Sequence, residues 1–266
     1  MEDMRFDPGI DVQVLHDPLG FRFGPGVFGP APELRSLDSI RQSLLDPACS
    51  GPDPVYAIVM DVGKEQHRQE LERRGLLFGI VTYAAGRLGK EPVRSQGHVH
   101  RVAGTSGWRP PELYEIWAGR AVVYMQEFAV DDPGCCFAVA AGPGDQVVVP
   151  PGWAHATLSV APETPLTFAA WCDREYGFEY DQVRARGGLA WYALLGDDGQ
   201  LEWRRNPRYV PRELAIGPPR VYRELGLEKG TPLYAHFEKN PAAIEWVPRP
   251  ELRAEVWEGF EPCICK

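Results

Sequence analysis

Short apolar runs separated by glycine and proline fill the middle of the chain and predict a fold built from β-strands. Between residues 76 and 172 the runs are rich in valine, isoleucine, tyrosine and phenylalanine, and turn residues interrupt them at close intervals. This pattern is typical of an antiparallel sandwich or barrel. The predicted strands are Leu77–Ala84, Gly97–Val102, Glu112–Trp117, Ala121–Val130, Cys136–Ala140, Gln146–Val149, His155–Val160 and Leu166–Trp171.

The segment before these strands carries irregular and helical patterns. Residues 6–32 are rich in glycine and proline, which predicts an irregular or edge-strand arm lying on the body of the fold. Apolar residues at helical spacing predict a short amphipathic helix over Ser36–Leu45, with Ser36 as its N-cap. The charged stretch Lys64–Arg74 predicts a second helix.

A hairpin and a proline-rich segment follow the strands. Leu189–Leu195 and Leu201–Trp203 flank the turn Gly196–Gly199, and this turn chemistry predicts a hairpin. Beyond Pro211 we find no motif and expect a packing or oligomerisation appendage, with a small separate module as the alternative. The predicted organisation is an N-terminal arm with short helices (1–75), a barrel with its hairpin (76–210), and a C-terminal extension (211–266).

Composition limits the partners and the compartment. The chain has 266 residues, and 37 acidic against 28 basic side chains give a net charge of -9, which argues against nucleic acid and anionic membranes as partners. No apolar run approaches the roughly 20 residues that span a bilayer, and the acidic start Met1–Arg5 precedes no apolar segment, so we expect a cytoplasmic protein. The six cysteines should then be free thiols, although a metal-binding or redox role for Cys263 and Cys265 stays open.

Two pairs of polar residues stand two positions apart in predicted strands. Residues two apart in a strand point to the same face, so His98 and His100 project together, and Glu112 and Tyr114 join them from a neighbouring strand. The residues between and beside them must face away, namely Val99, Leu113 and Glu115.

A third histidine completes a possible metal site. His155 follows the run Gln146–Val149 and the turn Pro150–Gly152, which would aim its imidazole back toward the first cluster. Three nitrogens and one carboxylate suit a first-row divalent metal with positions left open for substrate. A histidine pair on an exposed strand also arises without any metal, but unrelated needs would not produce the whole pattern in this order. We expect His16, His67 and His236 to be surface or ordinary core residues.

These motifs resemble those of the cupin-type glucose-6-phosphate isomerases, over roughly residues 20 to 210. The resemblance rests on Gly97–His100, Glu112–Tyr114, Val148–His155, Glu175–Gly177 and Asn206–Tyr209. It implies an all-β fold, the cupin double-stranded β-helix or jelly-roll barrel, here with short helices and a C-terminal extension. It also implies an enzyme of glycolysis and gluconeogenesis that acts on a small phosphosugar.

The resemblance further implies roles for individual residues. His98, His100, Glu112 and His155 would bind one divalent metal ion per chain, Fe²⁺ first of all, with Mn²⁺, Ni²⁺ or Zn²⁺ as alternatives. The reaction would interconvert glucose 6-phosphate and fructose 6-phosphate through an enediolate, which a Lewis acid stabilises. The implied catalytic residues are Glu112, Tyr114 and Tyr176, and the implied substrate-binding residues are Ser95, Gly97, Tyr114, Trp171 and Tyr176.

The chain departs from this family at positions that bear on phosphate binding. Ser95 stands where the family has a threonine, a second family threonine falls near Val81 or Thr82, and a family tyrosine falls at Trp171. An insertion at residues 104–108 predicts a loop near the mouth of the pocket. Three cations are candidates for the phosphate end or are simply solvated surface charges: Lys90, Arg94 and Arg101.

Other functions remain open at this stage. A cupin isomerase or epimerase could act on another phosphosugar or a sugar acid, and a cupin iron(II) oxygenase would use the same ligands. A catalytically idle sugar-binding or structural cupin is the remaining case, against which the intact ligand set argues. We expect a homodimer, because an open barrel with apolar edge strands is well served by a two-fold partner.

Overall fold

The computed structural model describes residues 6–264. The α-helices in this part of the chain are short: α1 (Leu37–Ile40), α2 (Arg68–Arg74), α3 (Asp181–Ala185), α4 (Leu233–Lys239) and α5 (Ala254–Trp257). Single 3-10 turns lie at Arg41–Ser43, Glu65–His67, Arg223–Leu225, Pro241–Ile244 and Pro250–Arg253.

Strands provide most of the regular structure. In chain order they are β1 (Val12–His16), β2 (Leu19–Phe23), β3 (Val27–Phe28), β4 (Glu33–Arg35), β5 (Tyr56–Met60), β6 (Gly63–Lys64), β7 (Leu76–Tyr83), β8 (Arg87–Leu88), β9 (Glu91–Arg94), β10 (Val99–His100), β11 (Glu112–Ala118), β12 (Ala121–Gln126), β13 (Cys136–Ala141), β14 (Gln146–Val149), β15 (Ala154–Ser159), β16 (Thr167–Asp173), β17 (Phe178–Glu179), β18 (Trp191–Leu195), β19 (Leu201–Arg205) and β20 (Leu214–Gly217).

Two six-stranded sheets form the barrel. The first sheet has the strand order β14-β11-β16-β7-β5-β4 and the second has the order β20-β13-β12-β15-β9-β8. Neighbouring strands are antiparallel, except that β20 joins β13 in parallel. The all-β jelly-roll class predicted from the sequence is therefore confirmed.

The observed strands follow the predicted ones closely, with two shorter than expected. The strand predicted over Gly97–Val102 is reduced to β10, because Gly97 adopts a left-handed φ of 87° that breaks the extended chain before it. The strand predicted over Ala121–Val130 stops at Gln126, where a turn begins that Phe128 closes by donating its N–H to the carbonyl of Pro133 at 3.1 Å. The predicted hairpin is present as β18 and β19.

Both predicted helices form, each preceded or followed by a 3-10 turn. The hydroxyl of Ser36 accepts the N–H of Ser39 at 3.3 Å, so Ser36 caps α1 as the sequence predicts. Gly75 ends α2 in the left-handed conformation, with a φ of 67°, and its N–H bonds back to carbonyls of the last turn.

Three apolar clusters order the molecule into layers. The interior between the sheets holds residues such as Tyr114, Val123 and Phe168. The outer face of the first sheet is buried under the N-terminal arm and the C-terminal extension. The outer face of the second sheet packs against α3 and the β18–β19 hairpin. Side chains that alternate along one strand therefore enter different clusters, because successive residues point to opposite faces.

The terminal segments are more closely integrated than the predicted division suggests. Residues 1–75 were expected to form an arm with short helices, yet β4 and β5 are strands of the first sheet. The extension supplies β20 to the second sheet and packs Tyr234, Phe237 and Trp246 against the first. The extension therefore packs against both sheets of the barrel.

The cysteines divide into two groups. Four are free, as expected: Cys49, Cys135, Cys136 and Cys172. Cys263 is disulfide-bonded, so the expectation of a free thiol is wrong there. Cys265 lies outside the described residues.

Residues 6–264 include no helix with both the length and the apolar character needed to cross a membrane.

Candidate metal site and substrate cavity

The structure brings together the four side chains that the sequence predicts as metal ligands. His98 lies just before β10, His100 is in β10, Glu112 begins β11 and His155 is in β15. Their ligand atoms all lie within 4.8 Å of one another, and all four residues are buried. The period-two alternation used in the sequence prediction places these side chains as expected.

Backbone hydrogen bonds hold two of the histidines in register. The N–H of His98 donates to the carbonyl of His155 at 3.1 Å, and the N–H of His155 donates back at 3.0 Å. Nδ1 of His155 lies 3.1 Å from the carbonyl oxygen of Trp153, and Nδ1 of His100 lies 2.7 Å from that of Pro110. A protonated Nδ1 in each ring leaves Nε2 as a lone-pair donor toward the centre of the cluster.

Glu112 contacts four polar side chains of the site. Its Oε2 lies 3.2 Å from Nε2 of His155 and 3.3 Å from Nε2 of His100. The hydroxyl of Tyr114 donates to the same oxygen at 2.6 Å, and Sγ of Cys172 donates to Oε1 at 3.1 Å. The carboxylate is thereby fixed in one orientation.

The donor set fits a divalent metal ion. Nε2 of His98 is buried and has no hydrogen-bond partner among the described residues, and Nε2 of His100 meets only the Glu112 carboxylate, at 3.3 Å. Buried polar atoms are nearly always satisfied, so an unpartnered nitrogen beside a carboxylate and two other imidazoles points to a ligand that they share. Three imidazole nitrogens and one carboxylate oxygen are a common donor set for such ions.

Burial and mutual contact shift the pKa values of these groups. Burial lowers the pKa of His98 well below its usual range, and the neighbouring histidines lower it further. Burial also lowers the pKa of His100, but the Glu112 carboxylate outweighs it and leaves that pKa raised. Burial raises the pKa of Glu112, but contacts with His100 and His155 more than offset it and hold this pKa well below the usual value. Glu112 is therefore ionised and able to ligate.

Two groups beside Glu112 keep their protons: the Tyr114 hydroxyl and the Cys172 thiol. Burial, reinforced by the Glu112 charge, raises the pKa of the Tyr114 hydroxyl well above its ordinary value. The same two causes raise the pKa of the Cys172 thiol. Both groups remain protonated donors to the carboxylate.

A cavity opens from the cluster into the barrel interior. Its empty space, counted together with the solvent at its mouth, is about 520 Å³. Its walls mix aromatic and aliphatic side chains with a few polar groups: Arg35, Tyr56, Ile58, Val81, Tyr83, Ser95, Gln96, His98, Glu112, Tyr114, Thr157, Phe168, Phe178 and Tyr180.

Some of the predicted substrate-binding residues line this cavity and others do not. Ser95 and Tyr114 line it. Gly97 lies in the backbone beside it, where a Cβ would come within 3.0 Å of Leu189. Tyr176 is 36% exposed and packs its ring 5.7 Å from that of Phe178, outside the lining.

Trp171 does not reach the cavity, contrary to the expectation. It pairs across strands with Leu113, and cross-strand partners share a face, so both point to the outer side of the first sheet. Its ring packs against Tyr234 and Phe237 of the extension, and Nε1 donates to the carbonyl of Leu233 at 3.2 Å. Trp171 is thus a core residue between the barrel and the extension.

The cations expected at the phosphate end also lie elsewhere. Lys90 and Arg101 are exposed and outside the lining, and Arg94 is buried in an ion pair with Glu91 at 3.0 Å. Arg35 is instead the cation that lines the cavity. No local pattern in the sequence points to Arg35, because only the pairing of β4 with β5 carries it to the site.

The inserted loop is held by a carboxylate outside the cavity. Gly104 and Thr105 donate their N–H groups to Oε2 of Glu175 at 2.7 and 3.2 Å. The Glu175–Gly177 motif therefore anchors this loop. Neither segment lines the cavity.

Comparison with known proteins identifies the family of this chain. A family model described as glucose-6-phosphate isomerase matches residues 42–212, more than half of the chain. The chain belongs to the glucose-6-phosphate isomerase family. That match ends before most of the C-terminal extension.

Curated relatives carry the same family name. A putative glucose-6-phosphate isomerase 1 of Rhizobium meliloti is 28% identical over 155 residues, which cover 54% of this chain and 63% of that protein, just under two thirds of its length. A glucose-6-phosphate isomerase of Pyrococcus abyssi is 25% identical over 201 residues, 73% of this chain and 97% of that protein. A solved structure of recombinant oxalate oxidase with glycolate is 14% identical with a TM-score of 0.35, covering 47% of this chain and 54% of that one, and at this score the likeness carries no argument.

Proposed function

We propose that the chain interconverts glucose 6-phosphate and fructose 6-phosphate with the help of one divalent metal ion. The observation that carries the proposal is the convergence of four buried donor side chains at the end of a cavity in the barrel interior. Membership of the glucose-6-phosphate isomerase family supports the substrate.

The metal would be held by His98, His100, Glu112 and His155. The unpartnered Nε2 of His98 and the ionised Glu112 carboxylate support this assignment. A bound divalent ion supplies a Lewis acid that stabilises negative charge on the oxygens of the substrate. We propose Fe²⁺ as the resident ion, with Mn²⁺, Ni²⁺ and Zn²⁺ as alternatives.

Proton transfer is assigned to the Glu112 carboxylate and its partner Tyr114. Isomerisation moves a proton from one sugar carbon to its neighbour through an enediolate, while the hydroxyl proton passes between the two oxygens on those carbons. We propose that Glu112, an ionised carboxylate in the cavity wall, takes and returns this proton. The Tyr114 hydroxyl, 2.6 Å from Oε2, orients the carboxylate throughout.

A second candidate keeps the chemistry and changes the sugar. Val81 lines the cavity near where the family carries a threonine, while the hydroxyl of Thr82 lies away from it, 3.0 Å from that of Thr167. An apolar wall at this position favours a different phosphosugar over glucose 6-phosphate. A substrate screen across phosphosugars separates the two candidates.

The test is a coupled assay of fructose 6-phosphate conversion to glucose 6-phosphate. Protein stripped with a chelator should be inactive and should recover when Fe²⁺ or Mn²⁺ is added, with elemental analysis giving one ion per chain. His155→Ala should lose both the ion and the activity, whereas His16→Ala, which alters a histidine outside the cluster, should keep both. Full activity of His155→Ala in metal-free buffer would refute the proposal.

We also propose a homodimer and a cytoplasmic location. Each six-stranded sheet ends in edge strands, β14 and β4 in the first and β20 and β8 in the second, and an edge can pair with a second copy. Light scattering at several concentrations gives the mass directly. The division at residues 75 and 210 stays a proposal that limited proteolysis can test.

A further inference from the structure

A sugar phosphate carries its negative charge at the end remote from the reacting carbons. A buried site that accepts this charge needs a cation or several convergent donors to replace the lost water. Among the described residues that line the cavity, Arg35 is the one that carries a permanent positive charge. The three cations that the sequence suggested for this task are exposed or already paired.

The fold aims the guanidinium of Arg35 at the cavity. Arg35 ends β4 and is the cross-strand partner of Tyr56 on β5, so both side chains project from the same face of the first sheet. Burial raises the pKa of the Tyr56 and Tyr180 phenols, and the nearby Arg35 guanidinium opposes that rise in both. The two tyrosines line the cavity beside it.

The Arg35 guanidinium still has N–H donors available for a ligand. The Nη2 atom of Arg35 lies 3.1 Å from Oε1 of Glu33. The Glu33 side chain is 63% exposed, so water screens this ion pair. A guanidinium presents five N–H donors in a planar fork, which matches the oxygens of a phosphate. The Arg35 side chain is itself 26% exposed, so a ligand can reach it without displacing the core.

We propose that Arg35 binds the phosphate group of the substrate and makes the enzyme specific for phosphorylated sugars. The inference rests on the proposed isomerase function, because it assigns the phosphate of that substrate to one residue. Arg35 acts in place of the hydroxyl lost at Val81, on the same cavity wall. It holds the sugar by its far end and touches none of the reacting atoms.

The first test measures binding without turnover. Sorbitol 6-phosphate lacks a carbonyl and cannot isomerise, and its dissociation constant can be measured by calorimetry on the metal-loaded protein. Arg35→Met keeps the length of the side chain but removes the charge, so we expect binding to weaken about 10- to 100-fold. Arg35→Lys should fall between, and Arg120→Met, at an exposed arginine, should match the wild type.

The unphosphorylated ligand makes the assignment specific. Affinity for sorbitol should be the same in wild type and Arg35→Met, because the lost contact is to phosphate. An equal loss for both ligands would overturn the proposal, since it would mean that the cavity itself has changed. Unchanged binding of sorbitol 6-phosphate by Arg35→Met would overturn it as well.

Kinetics separates this inference from the proposed function. In an active wild type, Arg35→Met should raise KM for fructose 6-phosphate more than it lowers kcat. If the wild type does not isomerise fructose 6-phosphate, the proposed function fails, yet the binding comparison still decides the role of Arg35. If the wild type is active and Arg35→Met has an unchanged KM, Arg35 is not the phosphate anchor and the isomerase assignment stands.

Discussion

A buried carboxyl at the junction of barrel and extension predicts a pH-dependent stability. Glu115 lies on the outer face of the first sheet and is 1% exposed. Its Oε1 accepts the N–H of Leu233, the first residue of α4, at 2.8 Å, and its Oε2 accepts Nε1 of Trp117 at 3.1 Å. Burial raises the pKa of Glu115 from 4.5 to about 7, although these donors oppose the shift.

The sign and size of the effect follow from linkage. At low pH the carboxyl is protonated in both the folded and the unfolded chain, so its contribution is fully present. As the pH rises from 4.5 through about 7, the unfolded chain releases this proton before the folded chain does, and the free energy of unfolding falls. At 1.36 kcal/mol per pKa unit, the loss amounts to about 3 kcal/mol.

Glu115→Gln isolates this contribution, because the amide does not titrate. Urea unfolding of the chelated protein should be measured for both chains at several pH values. The difference between their free energies of unfolding cancels the histidines, which the two chains share. Wild type should lose about 3 kcal/mol relative to the variant between about pH 4.5 and pH 8. A difference that stays constant over this range would refute the assignment of the raised pKa to Glu115.

Three further substitutions test other contacts. Tyr114→Phe removes the donor to Glu112 and should lower kcat about 10- to 100-fold while the protein stays folded, as measured by the coupled assay. Trp171→Phe removes the bond to Leu233 and part of a filled volume, so urea unfolding should show a loss of about 2 kcal/mol with KM unchanged. Asn206→Ala removes a side-chain amide that donates to two backbone carbonyls at 2.9 and 3.0 Å, and should cost about 2 kcal/mol without changing metal content.

For each substitution, one result would contradict the role that the prediction assigns to the residue. An unchanged kcat in Tyr114→Phe would mean that the hydroxyl does not serve the carboxylate. A raised KM in Trp171→Phe would return that residue to the substrate cavity. Loss of the metal ion in Asn206→Ala would connect the Asn206–Tyr209 motif to the centre rather than to the loop that it supports.

Local sequence patterns were sufficient for the strands and for the convergence of the four candidate ligands. Alternation along residues 98–100 and along β11 orients His98, His100, Glu112 and Tyr114 without knowledge of their partners. The register between paired strands could not be predicted from such local patterns. Trp171 could have been assigned to the outer face only by knowing that it pairs with Leu113, which the alternation already turned away from the site.

Two residues of the site were not predicted, because the pairing of their strands could not be read from the sequence. Cys172 follows Trp171, so it faces the interior and meets Glu112, but a lone cysteine in an apolar strand carries no signal of its own. Arg35 comes from a three-residue strand in a segment that the sequence assigned to an arm. Long-range pairing brings such residues to a site, and a local pattern does not encode it.

The C-terminal extension changes what the first sheet presents to its surroundings. The large aromatic rings of Phe78, Trp117 and Trp171 stand on one sheet face and are covered by Tyr234 and Phe237 from beyond residue 212, where the family match ends. A chain cut at that point would expose this aromatic surface to water, and such a surface drives association between molecules. The extension therefore keeps this aromatic face of the barrel away from water and from other molecules in the intact chain.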